Sequence, residues 1–267
     1  MANENQNLVK EILKTKNYKS LSQEVVERAV NQMSLKYNQK HLSKEVKNKL
    51  HQIWGAFYES KPNFDKIYDY ILENRESGLP QNLVLEKALL LHSSVSERSD
   101  ILEEFWSVLI QEFGVRFKIV DYGCGLNALG LLSLNISKEL EYLGYDIDQA
   151  QSDFLNKVFK IFDIYPQFEA NTADIFNQKM ETEGVAFFLK LFPTLEQQQK
   201  GIARQILENL KYKQVVVSFP TKSLGRRSRN MLDFYSTWFE ELILDLGFET
   251  KKVVFENELV YISPFAT

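Results

Sequence analysis

A single cysteine, Cys124, occurs in the 267 residues, so no intrachain disulfide can form; the three histidines, His41, His51 and His92, are scattered without metal-ligand spacing. The expectation is a chain with neither disulfides nor structural zinc. No apolar run approaches the ~20 residues of a membrane span, and the opening MANENQNLVKEILKTKNY lacks the apolar centre of a signal peptide. A soluble, cytoplasmic protein is expected, with a monomer as the default. No internal repeat or low-complexity tract is visible. What is present is 44% apolar composition with 13% aromatics, enough to fill the core of one large domain or two modest ones.

The net charge of −4 hides an asymmetry. Residues 1–61 carry eleven Lys/Arg against six Asp/Glu, a balance of +5, whereas residues 62–267 sum to −9. Inside that acidic remainder, 209–232 holds Lys211, Lys213, Lys222, Arg226, Arg227 and Arg229 without one acid. Two basic regions on an acidic protein suggest a polyanionic partner, although a lysine-rich helix is as often a solvated face.

From residue 4 to about 112, apolar positions recur at three- and four-residue spacing, as in Leu8, Ile12, Leu13 and Val25, Val26, Ala29, Val30, Met33. Ser22 can cap a helix opening at Gln23, while Pro62-Asn63 and Ser77-Gly78-Leu79-Pro80 read as breaks. A module of four to six helices is expected over 1–112. After Gly114 the pattern changes to short β-branched runs, FKIVDYG, LEYLGYDID, VAFFLKLFP, QVVVSFP and KKVVFE…ELVYIS. Strands alternating with amphipathic segments predict an α/β doubly wound sheet over 113–267, and the closely spaced last two suit a terminal antiparallel hairpin.

In such a sheet ligands bind at the carboxyl ends of strands near the switch point, where KIVDYGCG places its glycines. A phosphate-binding P-loop is set aside, because Leu131-Leu132 stand where Lys and Ser/Thr are required. A dinucleotide fingerprint remains possible on glycines alone, with Ala128 in its third position. The flanking acids favour another ligand. Asp121 precedes the turn, where it would repel a pyrophosphate but accept from an ammonium group. Asp146 ends the next strand, where a carboxylate takes both ribose hydroxyls. Asp174 follows the third strand and can receive an adenine amino group. That order matches S-adenosylmethionine better than a dinucleotide, and methyl transfer better than redox chemistry.

Some acceptors are excluded. Methylation at carbon 5 of a pyrimidine needs a cysteine nucleophile, and Cys124 lies inside the glycine turn. Exocyclic adenine methylation uses an Asn/Asp-Pro-Pro-aromatic segment after strand four, where this chain reads LKLFPTLEQQ. A ring nitrogen such as guanine N7 has a lone pair and no proton to lose, so positioning replaces a general base. Lys190, at the end of strand four, faces the expected entry of the target base and is a candidate for positioning it.

The segments LHQIWGAFY (50–58), HSSVSER (92–98), DYGCGLN (121–127), YDID (145–148), LKLFPTLEQQQKG (189–201), VVVSFPTKSLGRRSRNM (215–231), WFE (238–240) and NELVYI (257–262) together resemble the aminoglycoside-resistance 16S ribosomal RNA methyltransferases of the Arm/Rmt type. The resemblance runs through nearly the whole chain, and HSSVSER with SFPTKSLGRRSRNM is its most specific part. It implies a helical N-terminal domain docking on the 30S subunit and a class I methyltransferase domain acting on a decoding-site guanine, nucleotide 1405, at N7. The product would be S-adenosylhomocysteine. A methyl group and a fixed positive charge on that base would obstruct a cationic aminoglycoside.

Carried over position by position, the resemblance assigns Arg98 to the cofactor carboxylate, which its planar fork suits, with His92, Ser93 and Ser94 beside it. Gly123 gives backbone approach, Asp146 the ribose contact, and Asp174 and Ile175 the adenine contacts. Phe57, Leu189 and Gln198 complete the pocket, although core packing is an ordinary fate for Phe57 and Leu189. The loop from Thr221 to Met231, with Lys222, Arg226, Arg227 and Arg229, is expected to face RNA. Lys16, Lys44, Lys47 and Lys49 are candidates for phosphate contacts. Two departures stand out: Asn127-Ala128 replaces the usual Asn-Pro, and Asn230 sits where glycine is expected. Alternatives are methylation of a neighbouring adenine at N1, an RNA-binding protein without turnover, and a small-molecule methyltransferase.

Overall fold

The computed structural model describes residues 2–55, 62–90, 93–134, 140–177, 183–212, 214–221 and 231–264. Phe57, His92, Lys222, Arg226, Arg227, Arg229 and Asn230 lie outside them, and of Ser93 and Ser94 only the backbone is described. Among the described residues, seven α-helices precede the first strand: α1 (Ala2–Lys14), α2 (Gln23–Ser34), α3 (Gln39–Ile53), α4 (Phe64–Glu76), α5 (Gln81–Leu89), α6 (Ser93–Arg98) and α7 (Leu102–Phe113). The cap and break signals act where expected. Ser22 accepts from the Val25 N–H at 3.3 Å, Asn63 accepts from Lys66 N at 3.2 Å, and Gly78 turns the chain with φ +78° ahead of Pro80. The short α6 brings the helix count above the expected range.

The strands are β1 (Lys118–Tyr122), β2 (Glu141–Asp146), β3 (Phe168–Thr172), β4 (Val185–Leu189), β5 (Gln214–Pro220), β6 (Lys251–Val254) and β7 (Glu258–Pro264). Between them run α8 (Asn127–Ser133), α9 (Gln149–Ile161), α10 (Phe192–Gln198), α11 (Ile202–Asn209) and α12 (Met231–Asp245). They form one seven-stranded sheet in the order β3-β2-β1-β4-β5-β7-β6. β1 to β5 are parallel, and β7 inserts antiparallel beside β5 as one arm of the terminal hairpin. The strands are covered on both faces, so their side chains divide by the two-residue period. Ile119, Phe187, Val216 and Val260 enter one core, and Val120, Phe188, Val217 and Leu259 enter the other.

The packing does not break at residue 112. α4, α5 and α7 contribute Ile71, Val84, Phe105 and Trp106 to the sheet's first core. Among the described residues, α1 to α3 share a separate core built from Leu8, Ile12, Val26, Val30, Val46 and Leu50, with Phe64 and Ile147 packed against it. A register signal for this was absent, because amphipathic helices read alike whether they cover a sheet or each other. The α1–α3 unit is tied to the end of β2 by Ser22 N–H to Ile147 O at 2.8 Å and Gln149 N–H to Ser20 O at 2.7 Å. That tie holds α2 over the carboxyl ends of the strands. Among the described residues, no helix is long and apolar enough to cross a membrane.

Candidate active site

The carboxyl ends of β1, β2, β3 and β4 surround a cavity open to solvent on one side. Its place follows from topology, since chain connections leave β1 and β4 in opposite directions and open a crevice between them. Gly123, Asp146, Asp174, Ile175, Leu189, Lys190 and Gln198 are brought together on its wall. Gly123 has φ +70°, and a Cβ there would lie 2.7 Å from Leu191 Cδ1. Glycine is required both for the turn and for the clearance. Gly123 and Cys124 donate from their N–H groups to Tyr145 O at 2.8 and 3.0 Å, clamping the turn to β2. Cys124 is buried against Gly144, where a Cβ would meet its Sγ at 2.9 Å, and burial pushes its thiol well above its usual range.

Asp146 accepts from Gly125 N–H at 2.8 Å and from Ile147 N–H at 2.7 Å, one bond to each oxygen. Its rotamer is thereby held, with the carboxylate on the cavity wall. Asp121 lies under the glycine turn, fully buried, with Oδ2 accepting from Tyr142 Oη at 2.7 Å and Asn127 Nδ2 at 3.0 Å. Oδ1 is buried with no hydrogen-bond partner among the described residues. Asp121 does not itself line the cavity; the wall carboxylates Asp146 and Asp174 are the residues that fit the expected cofactor, with the orphaned Asp121 oxygen buried behind the glycine turn.

Burial raises the Asp121 carboxyl to about 6, against partial opposition from Tyr142, Asn127 and Arg98. Burial raises Asp146 as well. The folded state thus holds a proton that the unfolded state releases near pH 4, so Asp121 stabilises the apoprotein below that pH and ceases to as pH rises through 6. Relative to Asp121→Asn, wild-type stability is expected to fall by up to about 3 kcal/mol between pH 4 and pH 7. Chemical denaturation of both proteins across that range measures it; parallel curves would contradict the assignment.

Arg98 is not brought to the cavity wall. It is 2% exposed, and its Nε and Nη2 donate to the two carboxylate oxygens of Glu258 at 2.9 and 2.7 Å. Its Nη1 donates to Asn127 Oδ1 at 2.8 Å, so the guanidinium expected to meet a cofactor carboxylate here meets acceptors of the protein itself. The fork that suits a ligand's carboxylate suits a protein carboxylate equally, and the sequence could not tell the two apart. From Arg98 the polar chain continues in both directions, through Asn127 to Asp121 and through Glu258 to Lys190, whose Nζ lies 3.6 Å from Glu258 and 2.7 Å from Glu97. Burial alone would raise Glu258, but Arg98 and Lys190 hold it below the usual carboxylate range. Lys190 itself has φ +55°, a left-handed conformation uncommon for a side-chain-bearing residue, held by its N–H bonds to Ser218 Oγ and O at 3.0 Å.

Three residues of this site escaped the sequence reading. Glu258 stood inside the recognised segment NELVYI but carried no role there; an acid in an otherwise apolar strand was its signal. Asn127 has no signal beyond its place in the glycine turn, next to Ala128. Arg28 had no signal, because one arginine on an amphipathic helix reads as a solvated charge. It reaches from α2 into the cavity and donates to Asp174 through Nε at 2.8 Å and Nη2 at 3.1 Å.

The candidate RNA-facing residues are spread out. Lys16 and Lys44 are exposed, Lys47 is half-buried, and Met231 opens α12. Lys49 donates through Nζ to Gln197 O at 3.1 Å, at the end of α10, and burial followed by Lys36 and Arg28 lowers its ammonium.

Residues 14–262 match the family described as Ribosomal RNA methyltransferase (FmrO). A 16S rRNA (guanine(1405)-N(7))-methyltransferase of Frankia casuarinae is 31% identical over 224 residues, 82% of this chain and 78% of that protein. One of the same description from Serratia marcescens is 30% identical, covering 94% of each. The structure of the 16S rRNA methyltransferase RmtF, solved with S-adenosyl-L-homocysteine, superimposes with a TM-score of 0.85 at 28% identity and 98% coverage of both chains. The Rossmann-like sheet with its antiparallel hairpin is accordingly that of a class I S-adenosylmethionine-dependent methyltransferase, and this chain belongs to the FmrO family of ribosomal RNA methyltransferases.

Proposed function

We propose that the protein methylates guanine 1405 of 16S rRNA at N7 within the 30S subunit, in the cytoplasm and as a monomer, and so confers aminoglycoside resistance. The observation that carries this is one cavity at the strand ends with Asp146 anchored on its wall, Asp174 beside it and the orphaned Asp121 oxygen beneath it, in a chain of this family. S-adenosylmethionine, when bound, supplies a methyl group activated by its sulfonium. Asp146 accepts from the ribose hydroxyls, Asp174 from the adenine amino group with Ile175 against the ring, and Asp121 Oδ1 from the ammonium. Leu189 and Gln198 wall the pocket, together with Phe57, His92, Ser93 and Ser94 by resemblance.

Arg98 acts indirectly, by holding Asn127, which in turn orients Asp121. Lys190 positions the target base, its Nζ balanced by Glu97 and Glu258. No side chain need remove a proton from N7, which leaves catalysis to alignment. The test is transfer of labelled methyl from S-adenosylmethionine to purified 30S subunits, mapped by cleavage at 7-methylguanine. Cleavage at 1405 is expected and should vanish in Asp146→Ala; methylation of the neighbouring adenine instead, or none, would sink the reading.

The helical part, residues 1–112, supplies the RNA-docking face, joined by Lys222, Arg226, Arg227, Arg229 and Met231. Replacing Lys16, Lys44 or Lys47 by alanine should weaken 30S binding and lower the salt slope by about one each. Lys49→Ala should leave that slope nearly unchanged, because its ammonium is spent on Gln197 O. Filter binding at a series of salt concentrations separates the two behaviours.

A further inference from the structure

We propose that Arg28 occupies the adenine subsite in the unliganded enzyme and competes with the cofactor for Asp174, so that this α2 residue sets cofactor affinity. Four contacts carry the inference. Arg28 covers both oxygens of Asp174, as described above, and its Nη1 donates to Gln198 Oε1 at 2.7 Å. Its guanidinium carbon stands 3.9 Å from the centroid of the Phe176 ring. Asp174 is left 1% exposed, with Oδ1 also taking the Phe176 N–H at 3.2 Å.

A planar cation with in-plane donors therefore fills the slot where a planar base with an amino donor is to bind. Both are flat, both offer N–H groups to the same carboxylate, and both can lie on an aromatic face. If the slot held neither, Asp174 would be a buried charge compensated only by the Phe176 N–H. Arg28 supplies that compensation while the cofactor is absent, and an adenine amino group can reach Asp174 only after the guanidinium withdraws. Withdrawal is open to Arg28, whose side chain is still 15% exposed at the mouth of the cavity.

The inference rests on the assignment of this cavity to S-adenosylmethionine, and the test separates the two. Dissociation constants for S-adenosylhomocysteine and for adenosine are measured by calorimetry on wild type, Arg28→Ala and Arg28→Met, the last keeping the packing of the stem if alanine unfolds α2. Both variants should bind both ligands about tenfold more tightly, the loss of a charge-assisted competitor. Raising salt should narrow the difference by loosening the ion pair in wild type alone. Equal or weaker binding by both variants overturns the competition and makes Arg28 a support for Asp174. Tightening for S-adenosylhomocysteine without tightening for adenosine also overturns it, since the gain would then lie outside the adenine subsite. Failure of every protein to bind S-adenosylhomocysteine removes the cofactor assignment, and this inference with it.

Discussion

Glu258→Ala is expected to lower the melting temperature by roughly 10 °C, from a loss of about 3–5 kcal/mol at about 2–4 °C per kcal/mol. The carboxylate is fully buried and receives a two-pronged bond from Arg98, whose own side chain is 3% exposed. Taking it away leaves the guanidinium desolvated with one remaining acceptor, Asn127, and removes the second anion facing Lys190. The cost lies in the stranded charge, so the double variant Arg98→Met/Glu258→Leu should recover most of the lost stability. Thermal melts of the single and double variants decide the matter. A single variant melting within about 2 °C of wild type would mean that water or a rearranged side chain reaches Arg98.

Asp146→Ala should weaken S-adenosylhomocysteine binding about 100-fold, because two charge-assisted bonds to the ribose contribute about 3 kcal/mol together. The substitution also releases the Gly125 and Ile147 N–H groups that now fix the carboxylate, loosening the glycine turn. Asp146→Asn keeps one oxygen acceptor and should fall between the two. Calorimetric titration reads all three proteins, and an alanine variant within fivefold of wild type would place the ribose elsewhere.

The alternation of apolar side chains and the capping residues made the helices, the strands and the terminal hairpin legible, because these depend on neighbours in the chain. The acids at strand ends were legible for the same reason. In a parallel sheet, topology sends each such residue to one edge whatever the rest of the chain does. Pairings across the fold were not. Arg98 meets Glu258 160 residues away and Arg28 meets Asp174 146 residues away, and neither residue type announces which carboxylate it will choose. Nor could the sequence say that α4, α5 and α7 pack on the sheet, since a helix's apolar stripe does not say whether a sheet or another helix will cover it.

The long separation of Arg98 from Glu258 bears on assembly. Between them the chain must lay down β1 to β5, and β7 can dock only on a β5 already seated beside β4. Contacts this distant form late, after the loop-closure cost of the intervening chain has been met. Until then Arg98 cannot be enclosed without a penalty. A slip of β7 by one residue, away from the pairing of Pro220 with Glu258, would turn the carboxylate to the opposite face and offer Leu259 to the guanidinium. A β7 out of register would enclose Arg98 without its carboxylate, so the ion pair disfavours that register.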